Sequence, residues 1–161
     1  PLINVVTKFS YVNSLAYLFG LFTRMLGFDE GEENAVEKLA GSGSFDKKLS
    51  DSTSKIMAFR NGEIVIQSAR MRPEIFKKHE KTDIAYALQE RLAEVVREMV
   101  LFFFKRNPCD TICFGGGLFM NRGIRRFLKE CFDERFFVPD VCGDGSLAEG
   151  AAFHVSVNNG I

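Results

Sequence analysis

The chain has 161 residues, 46% hydrophobic and 26% charged, with 21 Lys plus Arg balanced by 21 Asp plus Glu. Such a composition excludes a disordered chain, and a net charge of zero excludes recognition of nucleic acid or an anionic membrane through overall charge. The length suits one domain over residues 1–161, and neither a signal peptide nor an apolar run of membrane-spanning length is evident. Seventeen Phe and no Trp imply either a thick core or an apolar face meant for a further segment. Cys109, Cys113, Cys131 and Cys142 lack paired zinc-site spacing and read as reduced thiols, so the expected location is the cytoplasm.

In chain order, residues 10–27 place Leu15, Leu18, Phe19, Phe22, Met25 and Leu26 at helical spacing, with Gly27 as the stop. Residues 28–34 read as an acidic turn, 34–40 as a short helix ended by Gly41-Ser42-Gly43, and 44–54 as a polar surface loop. Asn61-Gly62 between Lys55–Arg60 and Glu63–Ser68 predicts a hairpin, because both residues accept positive φ. Thr82 is the expected cap of a long helix from Asp83 to about Lys105, which Asn107-Pro108 stops. Thr111–Phe114, the loop Gly115-Gly116-Gly117, a helix over 121–131 and a strand at Arg135–Val138 predict a right-handed β-α-β crossover with a parallel pair. A loop over Pro139–Gly145 and a small-residue helix from Ser146 to about Val155 follow. The fold class is therefore α/β, with flanking helices and a β-hairpin.

Three positions carry candidate chemistry. Gly115, Gly116 and Gly117 are either a tight turn or a bare backbone open to a phosphate or adenosine, and locally the turn reading outweighs the other. Asn121 is either a helix cap or an amide for a ribose or phosphate. Asp144, between two glycines, is either a cap or a metal or nucleotide contact. The loops holding Gly115–Gly117 and Asp144 both leave C-terminal ends of the predicted parallel strands, the edge where open α/β sheets bind ligands. Glu32, Glu33 and Glu37 suit the start of the short helix, and one of them could hold a ribose hydroxyl. His79 and His154 stand apart, Arg122, Arg125 and Arg126 read as a solvated helix face, and no Ser-His-Asp or Cys-His set is present.

Three segments together resemble a family. Leu21–Phe28 with Glu33 and Leu39–Gly43, then Ile112–Asn121, then Val138–Asp140 with Gly143–Ala152, are similar to the helix-and-glutamate, strand–Gly-Gly–Asn and closing Gly-Asp segments of nodulation- and antibiotic-type O-carbamoyltransferases. The resemblance implies the C-terminal half of a nucleotide-binding domain of the actin/sugar-kinase (RNase H-like) type. It implies transfer of a carbamoyl group from carbamoyl-adenylate to a small-molecule hydroxyl acceptor, with ATP or carbamoyl-adenylate and a divalent cation such as iron or magnesium as cofactors. It places nucleotide contacts at Gly115, Gly116, Gly117, Asn121 and Glu33, and a metal contact at Asp144. Its paired metal histidines and its adenylate-forming domain have no counterpart here, so the chain, which opens on mid-domain sequence at Pro1, is expected to be inactive without its N-terminal half and that second domain. Asn34–Ala40 and Asn121–Leu128 are also similar to tRNA threonylcarbamoyl-transfer proteins, which implies a sister activity as the alternative, with tRNA as its nucleic-acid partner; a non-catalytic nucleotide-binding or assembly module is another.

Overall fold

The computed structural model describes residues 7–10, 13–29, 31–67, 70–71, 74 and 77–140. In chain order these form α1 (Leu15–Met25), α2 (Glu33–Ala40), α3 (Lys47–Ile56), the strands β1 (Met57–Arg60) and β2 (Glu63–Ile66), and α4 (Lys81–Phe104). Then come β3 (Ile112–Cys113), a 3-10 turn at Gly117–Met120, α5 (Arg122–Phe132), a second 3-10 turn at Asp133–Arg135, and β4 (Phe136–Phe137). The fold is mixed α/β, with an antiparallel hairpin and a parallel strand pair.

The axis of the molecule is α4, 24 residues and so roughly 36 Å long. It buries Ile84, Leu88, Leu92, Val95 and Val96, and α2, α3, β1 and α5 all pack along it. One hydrophobic cluster joins these residues to Leu18 and Phe22 of α1, Val36 of α2, Leu49 and Ile56 of α3, and Ile124 and Leu128 of α5. Of the two readings of the phenylalanine content, the thick core is not what the described residues show. Among the described residues only Phe19, Phe22 and Phe114 are buried. Several others sit at its margins, Phe59, Phe102 and Phe103 meet edge-on at 5.2–6.2 Å, and Phe45 and Phe137 are exposed.

Several elements depart from the sequence reading. The first helix begins at Leu15, because the Ser14 hydroxyl accepts Tyr17 N–H at 3.4 Å and caps it there. Its stop is as expected: Gly27 adopts φ +93° and its N–H donates to the Arg24 carbonyl. Residues 47–56 are a helix, not a loop. The Asp46 carboxylate accepts the N–H groups of Lys48 and Leu49 at 2.7 and 3.0 Å, and Leu49, Thr53 and Ile56 form a narrow buried stripe facing α4. The polar residues that suggested a loop are satisfied within the helix, where the Ser52 and Ser54 hydroxyls donate to carbonyls four residues back.

Thr82 is not the cap of α4, which starts two residues earlier than expected, at Lys81 with Glu80 in the cap position. Tertiary contacts fix that start: Lys81 Nζ donates to the Leu26 carbonyl at 2.7 Å, and Asp83 accepts from the Ser44 N–H and hydroxyl. The hairpin matches expectation, with Asn61 at φ +54° and Gly62 at φ +90° between β1 and β2. The last β-α-β segment does so too, with Ile112 beside Phe136 and Cys113 beside Phe137 in parallel register.

Candidate functional site

After β3 the chain turns through Gly115-Gly116-Gly117 into the first 3-10 turn, and Asn121 then opens α5. Gly116 has φ +105°, a value only glycine adopts without strain. Gly115 and Gly117 do not share that need. Among the described residues, a β-carbon added at any of the three would meet no atom within 4 Å, and all three are exposed. A turn therefore accounts for Gly116 alone.

Asn121 is both a cap and something more. Its Oδ1 accepts the Ile124 N–H at 3.0 Å, which closes the first turn of α5. The residue is 4% exposed, and its Nδ2 is buried without a partner among the described residues. Leaving such a donor unpaired costs about 1–3 kcal/mol.

Asn121, Gly117 and Glu33 line one cleft of about 370 Å³, within the ordinary size range of a small-molecule site. Its walls come from three elements. Ala16 and Phe19 belong to α1, Glu33 and Glu37 to α2, and Leu118 and Met120 to the 3-10 turn. Glu33 and Glu37 stand one helical turn apart, so both side chains reach the same opening. Glu32 points elsewhere: its carboxylate accepts the Asp29 N–H at 2.8 Å in the preceding turn. Gly115 and Gly116 lie on the far side of Gly117 and line a second, more apolar groove of about 620 Å³ with Leu15, Ile64, Val96 and Phe119. Gly117 and Leu118 border both cavities, which are therefore neighbours across the glycine turn.

The structure thus brings together Glu33, Gly117 and Asn121 and sets Gly115 and Gly116 beside them. Asp144 and Cys142 lie outside the described residues, as do the predicted final helix and His154. The edge on which Asp144 was expected is only partly seen: Phe114 N–H donates to the Phe137 carbonyl at 2.9 Å, so Gly115 and Val138 leave their strands at the same end. Among the described residues no group of three or more His, Cys, Asp or Glu could hold a metal ion. Cys109, Cys113 and Cys131 are free and exposed. His79 lies 3.5 Å from Asp46, far in sequence from the cleft-lining residues. No helix among the described residues is long and apolar enough to cross a membrane.

Sequence reasoning gave no part to Phe19, Leu118 or Met120, which supply the apolar walls. It also left open what Glu37 does. The Glu37 carboxylate accepts the Arg122 N–H at 3.3 Å, at the first residue of α5, and lies 3.8 Å from the Arg122 guanidinium. The spacing of Glu33 and Glu37 was the signal for a shared face. The contact with Arg122, 85 positions away, had none.

A family model described as "Carbamoyltransferase, Kae1-like Domain, second subdomain" matches residues 25–151. No curated protein matches the chain.

Proposed function

Because the chain belongs to the carbamoyltransferase family as the second subdomain of a Kae1-like domain, we propose that its cleft holds the nucleoside part of ATP or carbamoyl-adenylate during carbamoyl transfer to a hydroxyl. The observation that carries this reading is the buried Asn121 Nδ2, a donor without a partner among the described residues, on a side chain that lines the cleft together with Glu33. A ribose fits that pair, since its hydroxyls accept from an amide and donate to a carboxylate. Phe19, Leu118 and Met120 offer apolar surface to a base, and Met120 is 56% exposed.

The glycine turn fits the adjoining phosphate. Bare backbone at Gly115 and Gly117 permits close approach, and no packing among the described residues otherwise asks for glycine there. The chain's contribution to the reaction is then positional. It fixes the adenylate, the leaving group, so that the carbamoyl carbon stays in place for attack, and such fixing supplies a large share of an enzyme's rate. When bound in the whole enzyme, a divalent cation would polarise the carbamoyl carbonyl. Asp144 is the ligand this chain is proposed to give it. The acceptor hydroxyl, the N-terminal half of the domain and the domain that makes the adenylate complete the proposed system.

The test is a calorimetric titration of the chain, joined to the rest of its domain, with ATP and with adenosine. Saturable binding of both supports the reading. Binding of neither removes it. In the whole enzyme, Asp144→Ala that keeps full transfer activity removes the metal role.

A further inference from the structure

Glu37 reaches from α2 to the first backbone amide of α5, and this bond joins the two elements that bring Glu33 and Asn121 to the cleft. We propose that Glu37 is a positioning residue that latches α2 to α5 and so sets the separation of Glu33 and Asn121 across the nucleoside cleft. The inference rests on the nucleoside reading above.

Three observations carry it. First, Glu33 and Glu37 occupy the same short helix, one turn apart, so whatever holds Glu37 fixes the position of Glu33. Second, Asn121 is the cap of α5 and Arg122 its first residue, so an anchor on the Arg122 N–H holds Asn121 at the next position. Third, the contact suits the place. A carboxylate at the start of an 11-residue helix meets an amide that the helix cannot satisfy and the positive end of its dipole. The guanidinium of Arg122 is secondary: it is 89% exposed and 3.8 Å away, where an ion pair is worth little.

The latch therefore depends on an acceptor at residue 37, not on the charge of residue 122. Glu37→Gln keeps an acceptor, Glu37→Ala removes it, and Arg122→Ala keeps the amide while deleting the guanidinium. Each variant is made in the chain joined to the rest of its domain. Two quantities are read: hydrogen exchange of the Arg122 amide without ligand, and adenosine affinity by calorimetry, with melting temperature as the folding control.

Glu37→Ala is expected to speed exchange at Arg122 and to weaken adenosine about tenfold. Glu37→Gln and Arg122→Ala are expected to stay within about threefold of the parent in both readouts. Unchanged exchange in Glu37→Ala overturns the latch. So does adenosine binding that is unchanged in Glu37→Ala, or that falls equally in Glu37→Gln. Should Glu37→Ala fail to fold, the contrast between Glu37→Gln and Arg122→Ala decides: loss in Arg122→Ala alone overturns the proposal. A parent that binds no adenosine defeats the nucleoside reading, whereas exchange at Arg122 reports on the latch whether or not ligand binds.

Discussion

The Oδ1 of Asn121 accepts the backbone N–H of Ile124 at 3.0 Å while the Nδ2 of the same side chain has no partner among the described residues. The two halves of one amide are thus doing different things, and substitution separates them. Asn121→Ala deletes both and is expected to lower stability by about 1 kcal/mol through the lost cap, with further loss of nucleotide binding. Asn121→Ser keeps a capping oxygen, so stability is expected to hold within about 0.5 kcal/mol while the amide donor is gone. Thermal unfolding of the two variants beside the parent reads this difference.

The three glycines are expected to behave differently from one another. Gly116→Ala places a β-carbon at φ +105° and is expected to cost about 1–2 kcal/mol. Gly115→Ala and Gly117→Ala meet open space among the described residues and are expected to leave the melting temperature nearly unchanged, yet to weaken ATP by obstructing the backbone. A stability loss at all three would return the tripeptide to the role of a simple turn. Chemical denaturation together with ATP titration provides the measurement.

Residues 47–56 offer a direct check on the fold. Leu49 is wholly buried against α4, so Leu49→Ala is expected to cost about 2–5 kcal/mol. A surface loop in this region would tolerate the change within about 0.5 kcal/mol. The urea midpoint of the variant decides between them.

Two carboxyls contribute pH dependence of opposite sign. Glu90 lies in a groove between α4 and α5 with Tyr86, Gln89 and Arg126. Burial pushes its carboxyl above the ordinary 4.5, opposed by the hydrogen bond from the Tyr86 hydroxyl at 3.3 Å, while the charge of Glu94 adds to the rise. A raised folded value favours the protonated form. Its contribution to stability is complete below 4.5 and is lost as pH climbs through the folded value. Asp46 behaves in the opposite sense. The Leu49 N–H holds its carboxyl below the ordinary 3.8, so the cap of α3 is intact above 3.8 and weakens as pH falls through the folded value. Glu90→Gln is expected to flatten the decline in melting temperature above pH 4.5, and Asp46→Asn the decline in acid. Melting curves from pH 3 to 8 check both signs.

Much of this fold was legible because local chemistry and tertiary packing agree. Asn61-Gly62 needs its positive φ values in any context, and the long apolar stripe of α4 has no other use than a buried helix. The reading faltered where one signal was weak or where contacts came from afar. In α3 only Leu49, Thr53 and Ile56 turn inward, too few to outweigh the run of Ser, Asp and Lys, although the Asp46 cap was a signal available in the sequence. The start of α4 is set by Leu26 and Ser44, 55 and 39 positions away, which no local rule contains. Gly43 reads as part of a helix stop, but the structure gives it a packing reason: a β-carbon there would collide with the Thr82 carbonyl where α4 begins.

In the candidate site the same division holds. Asn121 and the glycine turn stood out because they interrupt a strand–helix pattern. Glu33 and Glu37 were visible as acidic residues, but their distinct surroundings depend on α2 packing beside α1 and α4 and reaching the first turn of α5. The apolar walls were invisible, since Phe19, Leu118 and Met120 resemble any other core-forming side chains in the sequence.

The most direct measurement is adenosine binding to the chain joined to the rest of its domain, compared with its Asn121→Ser variant by calorimetry at equal folded fraction. Loss of the Nδ2 donor is predicted to weaken adenosine by about tenfold with the melting temperature preserved. Equal affinity in the two proteins would contradict the assignment of this cleft to a nucleoside.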